Sequence, residues 1–310
     1  MEERKELETA DILVHGTAAD GMVRCMAAVT TNLVAEAARR HETSPTVAAA
    51  LGRTLTGALL LGSSLKELDR LTVQLVVDGP IGGITAEANA RGHVRGYVRN
   101  PLAHAPLNGA GKFDVRAIVG NGMFYVTRES GYDVGLYREP YRGSVPIISG
   151  EIAEDFAYYL TKSEQIPSAV MLGVLMQAHE PDGAYVSAAG GLVIQIMPGA
   201  DERTVAAIES SVNRAPQTTT MIREGAPPVD LLRAALGSIE FEILSERVVS
   251  FTCQCSYERA VSLIASIDQT ELESMLNEDK GAVMTCHFCN SSYRLDEAAL
   301  EEIVKSGDRS

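Results

Sequence analysis

The chain has 310 residues, 45% of them hydrophobic and 22% charged, a balance that supports a sizeable buried core and about two domains. Its formal net charge of −14 and pI near 4.9 exclude an extended nucleic-acid surface, which needs a basic stripe to neutralise phosphates. The charged start, Met1 to Glu8, lacks the apolar stretch of a signal peptide, and no uncharged apolar run reaches the ~18 residues of a membrane span; the expectation is a cytoplasmic protein that engages neither membrane nor nucleic acid.

In chain order, Cys25 lies in the apolar stretch from Met22 to Val29 and reads as a buried packing residue. The Ala- and Leu-rich run Thr46 to Leu65 predicts a helix, and the β-branched run Leu71 to Val77, stopped by Asp78-Gly79-Pro80, a strand. Lys112 to Thr127 reads as a hairpin turning at Asn121-Gly122. Glu151 to Thr161 places Ile152, Phe156 and Leu160 on one helical face, with Glu151 and Glu154 near the positive end of the dipole. Strands are expected at Val170 to Met176, around Tyr185 and at Leu192 to Met197, with a turn at Pro181-Asp182-Gly183. Strands and helices in this order indicate an α+β class, with a strand-rich core domain and packed helices over 1–200.

The character changes after Pro198-Gly199. Asp201 is a predicted N-cap for a helix to Arg214 with Val205, Ile208 and Val212 on one side. Pro216 and Thr218-Thr219-Thr220 interrupt the pattern, and a second helix runs from Pro227-Pro228 to Gly237, carrying Leu231 and Leu232. Each helix buries a narrow stripe, so 201–240 reads as a helical linker that depends on a neighbouring surface. The remainder, 241–310, reads as a small zinc-binding domain; it holds thirteen Asp/Glu against six Lys/Arg, which disfavours a DNA-reading zinc ribbon. Helical patterns follow Cys255 (Val261, Leu263, Ile264, Ile267), open on Asp268-Gln269-Thr270-Glu271 (Leu272, Met275, Leu276), and begin near Asp296 (Leu300, Ile303, Val304).

Four of the five cysteines form two tight pairs in this last segment, Cys253-Gln254-Cys255 and Cys286-His287-Phe288-Cys289. Two close pairs can complete a tetrahedral shell around zinc while the chain between them folds back. One intervening residue in the first pair forces both sulfurs toward one ion, and either pair can close on itself as a local disulfide once the metal is gone. His287 is a candidate replacement ligand. A purely structural zinc module is the plain alternative, and lifelong disulfides would require a secreted protein.

Other chemistry lacks its signatures. Gly109-Ala110-Gly111-Lys112 resembles a phosphate loop, but Pro106 stands at the first glycine position and Phe113 at the Ser/Thr position. Gly120-Asn121-Gly122 is followed by Tyr125 where a dinucleotide fingerprint requires glycine or alanine, and no Gly-x-Ser-x-Gly elbow occurs. No catalytic residue is assigned, and ATP-driven chemistry is not expected.

The cysteine pairs at this spacing resemble those of the heat-shock protein 33 family of redox-regulated holdase chaperones, the 33 kDa chaperonins. The resemblance is reinforced by Tyr141-Arg142-Gly143-Ser144-Val145-Pro146, by Ser149-Gly150-Glu151-Ile152-Ala153-Glu154-Asp155-Phe156 and by Ser163-Glu164-Gln165-Ile166-Pro167-Ser168, and it covers nearly the whole chain. It implies one zinc held by Cys253, Cys255, Cys286 and Cys289 in a reduced, inactive form. It further implies Cys253–Cys255 and Cys286–Cys289 disulfides on oxidation, zinc release, unfolding of linker and C-terminal domain, and a homodimer that binds unfolded client proteins without ATP under oxidative and heat stress. The linker stripe (Val205, Ile208, Val212, Leu231, Leu232) or part of the strand-rich domain is a candidate client surface. A thiol-disulfide oxidoreductase using Cys286 and Cys289 is the enzyme alternative, and a static zinc-stabilised interaction module the third.

Overall fold

Two antiparallel-rich sheets close on a helix that has almost no solvent side. The computed structural model describes residues 10–67, 69–109, 111–130, 139–179 and 183–307, in two compact units that divide between Thr252 and Cys253. In the larger unit the strands are β1 (Ile12–Ala18), β2 (Val23–Val29), β3 (Asp69–Val77), β4 (Ile84–Asn89), β5 (His93–Val98), β6 (Gly122–Ser130), β7 (Tyr141–Pro146), β8 (Ser168–His179), β9 (Gly183–Ile196), β10 (Phe241–Val248) and β11 (Ser250–Phe251). They form a five-stranded sheet in the order β10-β1-β2-β9-β8 and a six-stranded sheet in the order β11-β5-β4-β3-β6-β7. The α+β class is as expected.

Helix α1 (Thr31–His41) leads into α2 (Pro45–Gly62), the central helix. Ser44 caps α2 by accepting from the Val47 amide at 3.3 Å, and Pro45 fits the first turn, where its missing N–H is no loss. A helix apolar on every side must be buried on every side. Leu51, Leu55 and Leu59 accordingly share one core with Met26 and Val193 of the first sheet and Leu71 and Val73 of the second. Gly57 is required by close approach, because a Cβ there would lie 2.5 Å from the Phe156 ring.

Helix α3 (Val115–Val119) is a single turn, and α4 (Ala153–Lys162) is held by a buried carboxylate. Asp155 is fully buried and accepts from the backbone amides of Ile148 at 2.8 Å and of Ser149, Gly150 and Ile152 at 3.0 Å each. It thus fixes the turn that enters the helix, a role its neighbours Glu151 and Glu154 do not share. Asp155→Asn puts a donor where two amides need an acceptor, and we expect urea unfolding to report a loss of about 3 kcal/mol; a loss below ~1 kcal/mol would show that the turn does not depend on the carboxylate.

Several expectations are corrected. Lys112 to Thr127 is not a hairpin: Asp114 caps α3 by accepting from the Ala117 amide at 2.9 Å, Gly120 ends it at φ 72°, and β6 pairs instead with β3 and β7. The strands around Tyr185 and at Leu192 to Met197 are one strand, β9, which accommodates Gly190 and Gly191 because neighbouring carbonyls approach within 2.4 Å of where their Cβ atoms would be. The Pro181-Asp182-Gly183 turn falls on residues that include undescribed ones. Phe241–Val248 does not open the zinc-binding segment: as β10 it pairs with β1, so the sheet claims residues assigned to 241–310 and the smaller unit starts at Cys253.

The linker forms three helices, α5 (Glu202–Arg214), α6 (Thr218–Arg223) and α7 (Pro228–Leu236), because the threonine run is itself helical. Asp201 caps α5 as predicted, accepting from the Thr204 amide at 2.7 Å. Ile208, Leu231 and Leu232 are buried in a second core with Val14, Val23, Ala27 and Leu192 of the five-stranded sheet, while Val205 and Val212 are half-buried. The neighbouring surface that these narrow stripes require is thus the outer face of that sheet. Cys25 lies in the same core, fully buried, and burial pushes its thiol up to about 11.

Candidate metal centre

The smaller unit has little core of its own. Helices α8 (Tyr257–Ile264), α9 (Gln269–Ser274) and α10 (Glu297–Gly307) and the hairpin β12 (Gly281–Thr285) with β13 (Ser292–Asp296) bury Ile264, Leu272, Leu295, Leu300 and Ile303. A core of this size contributes only ~3–5 kcal/mol of stability. Ser256, Asp268 and Asp296 supply the helix starts, accepting from the amides of Arg259, Thr270 and Ala299.

The β12–β13 hairpin presents the second cysteine pair at its tip. Its register runs to Thr285↔Ser292; beyond it the Cys286 amide donates to the Ser291 carbonyl at 2.9 Å and the Asn290 amide to the Cys286 carbonyl at 2.8 Å. Asn290 takes the left-handed conformation, φ 58°, that closes the loop. Amides of Phe288 and Cys289 donate to the Cys286 sulfur. The first pair lies in the irregular segment just before α8, so a one-residue spacing suffices to aim both sulfurs the same way.

All four sulfurs lie within 4.8 Å of one another. Cys253 Sγ is 3.7 Å from Cys286 Sγ, and Cys255 Sγ is 3.3 Å from Cys289 Sγ. A disulfide requires ~2.05 Å, whereas four sulfurs at ~2.3 Å from one tetrahedral zinc stand ~3.8 Å apart. The separations fit a shared ion. Ligand-type atoms group here as four cysteines; His287 is exposed at the hairpin tip.

The four sulfurs perturb one another. Burial pushes the Cys255 thiol up to about 12, with the Tyr293 hydroxyl opposing and the Cys289 and Cys253 thiols adding to the rise. Burial also raises Cys286. Cys289 goes the other way: burial raises it, but hydrogen bonds from the Ser291 hydroxyl and amide and from the other thiols prevail and leave it at about 7. Four thiolates crowded into one small site repel one another, and a divalent cation removes that repulsion. The donor set suits a soft or borderline metal such as zinc.

Sequence reasoning missed Tyr293 and Ser291. The Tyr293 hydroxyl donates to Cys255 Sγ at 3.0 Å and Ser291 Oγ lies 3.3 Å from Cys289 Sγ, so each orients a sulfur from outside the cluster. The signal was the alternation in Ser292–Asp296, where Tyr293 and Leu295 share the inward face.

Residues 11–296 match the family model described as Hsp33 protein. The chain belongs to the Hsp33 family. It is 45% identical to a 33 kDa chaperonin of Desulforamulus reducens, over 95% of this chain and 97% of the relative. It is 44% identical to a 33 kDa chaperonin of Staphylococcus carnosus, over 96% and 98% respectively. Among solved structures it resembles the 33 kDa chaperonin (heat shock protein 33 homologue) of Thermotoga maritima, with a TM-score of 0.86 at 35% identity, covering 97% of this chain and 99% of that one. Membership in Hsp33 places the chain among chaperones rather than enzymes, which sets the oxidoreductase alternative aside. Among the described residues no helix is long and apolar enough to cross a membrane.

Proposed function

We propose that the chain is a redox-gated, ATP-independent holdase of the cytoplasm, resting in a reduced form with one zinc held by Cys253, Cys255, Cys286 and Cys289. The observation that carries this reading is a four-sulfur cluster set on a core of five buried apolar side chains. Bound zinc supplies a fixed tetrahedral cross-link worth roughly 10–16 kcal/mol of apparent binding free energy, against the ~3–5 kcal/mol of such a core. The same sulfurs are the oxidant's target as thiolates.

On oxidation each pair, Cys253 with Cys255 and Cys286 with Cys289, loses two electrons to one peroxide, which is reduced to two waters. Sulfurs bonded to each other no longer hold the ion, residues 253–310 unfold, and the linker follows. Release of Ile208, Leu231 and Leu232 then bares both the linker stripe and the sheet face beneath it, apolar surface suited to unfolded clients. The active form is a homodimer, and the net charge of −14 keeps such a surface-exposed state in solution.

Light scattering from a heat-unfolding client tests this directly. Protein treated with peroxide at elevated temperature is expected to suppress aggregation, and reduced, zinc-loaded protein is not. Equal suppression by both would make the cluster a static structural site.

A further inference from the structure

Strand β8 ends the five-stranded sheet, and among the described residues no strand pairs with its outer side. Ile196 N–H donates to the Pro167 carbonyl at 2.9 Å, and from that pair the antiparallel ladder alternates up to the register shift after Leu175. Odd-numbered residues bond to β9, so the amides and carbonyls of Val170, Leu172 and Val174 point away from the sheet. A groove of about 550 Å³ runs along this side, lined by every residue of 170–176 in succession. Consecutive lining residues mean that the groove follows the strand's edge; a groove on one face would touch alternate residues.

The groove has walls on both faces of the sheet: Arg53 of α2, Phe113 and Glu154 on one, Thr218 and Thr219 on the other. Proteins normally blunt a long edge with charge, proline or a covering element. Here residues 168–178 carry no charged side chain, and no proline falls within β8.

We propose that this groove is a client-binding site that takes an extended, uncharged, apolar segment of an unfolded protein as an added strand, pairing backbone to backbone with Val170, Leu172 and Val174. The chemistry that selects the occupant is on the strand itself: unpaired backbone donors and acceptors require an extended backbone, and the uncharged edge requires apolar or small side chains. A walled groove admits one chain more readily than the edge of another folded sheet, and a second copy would bring another −14 to the same place. Gly173 sits where a Cβ would come within 2.5 Å of Thr219, so the linker crowds the groove in the resting form and its release widens it. The proposal rests on the holdase reading and specifies how the client is held.

The test uses the full-length oxidised chain and a fluorescent ten-residue peptide of alternating valine and threonine, alongside the same peptide N-methylated on alternate residues. Side chains are the same in both, but the second lacks the N–H groups of one edge. Binding is expected to weaken at least tenfold on methylation, and hydrogen exchange of the Val170, Leu172 and Val174 amides is expected to slow when the unmethylated peptide is added. Leu172→Pro, which removes an outward N–H without touching the β9 ladder, is expected to reproduce the tenfold loss.

Equal affinity for the two peptides, or unchanged exchange at those amides, would overturn the proposal. So would protection of those amides in the oxidised protein alone, since a second copy would then hold the edge. These outcomes leave the holdase reading intact if the oxidised parent still suppresses aggregation; its failure in that assay sinks the holdase reading instead.

Discussion

Cys286→Ser should reduce bound zinc from one per chain to a small fraction and leave residues 253–310 without stable structure. Serine cannot supply the thiolate, and the three remaining sulfurs stand in a site whose separations of 3.3–4.8 Å suit a four-coordinate ion. Losing most of ~10–16 kcal/mol from a unit whose core gives ~3–5 kcal/mol leaves the folded form in deficit. Cys253→Ser is expected to behave alike, and Cys25→Ser, in the other unit's core, to retain zinc. Metal analysis of the purified variants with amide exchange across 253–310 reads both effects. Tight stoichiometric zinc in Cys253→Ser or Cys286→Ser would remove that residue from the ligand set.

The second large effect lies in the other unit. Phe156 meets Phe124 edge-on at 4.8 Å between ring centroids and fills the space that Gly57 leaves on the central helix. Phe156→Ala opens a cavity where α2, α4 and β6 converge, and denaturant unfolding is expected to show a loss of about 3–5 kcal/mol. Gly57→Ala approaches the same contact from the other side and is expected to lose about 1–3 kcal/mol through overpacking. If Phe156→Ala lost less than ~1 kcal/mol, the site would have collapsed around the smaller side chain and the close approach at Gly57 would not be rigid.

What the sequence disclosed follows the range of the interactions involved. The cysteine pairs, the capping aspartates 201 and 268 and the apolar faces around Phe156 are local patterns, legible within a few residues. Strands β1, β4, β5 and β10 were not, since their pairing depends on residues far along the chain. Phe241–Val248 alternates half-buried and exposed along its whole length and has no fully buried residue; only β1 beside it makes it a sheet strand. Gly190 and Gly191 broke the strand pattern in sequence, yet they are what permits a central strand to lie against its neighbours. At the metal centre the ligand-type residues were readable and Tyr293 was not, because a second-strand hydroxyl acquires its role only when the hairpin closes.

The alignment of the linker's two ends bears on how the linker would refold after the proposed oxidation. Ile196 pairs with Val23, Val23 with Ala18, and Ala18 with Phe241, so the segment between β9 and β10 leaves and re-enters the same end of one sheet, three strand spacings or about 14 Å apart. A melted linker is therefore an arch pinned at both feet and not a free tail. Closing such a loop carries an entropy that grows only with the logarithm of its length, and the tether keeps the helices at an effective concentration near the millimolar range above their own docking face. In the proposed holdase cycle, once the sulfurs are reduced and the clients gone, such an arch would refold in place at a rate independent of how dilute the protein has become.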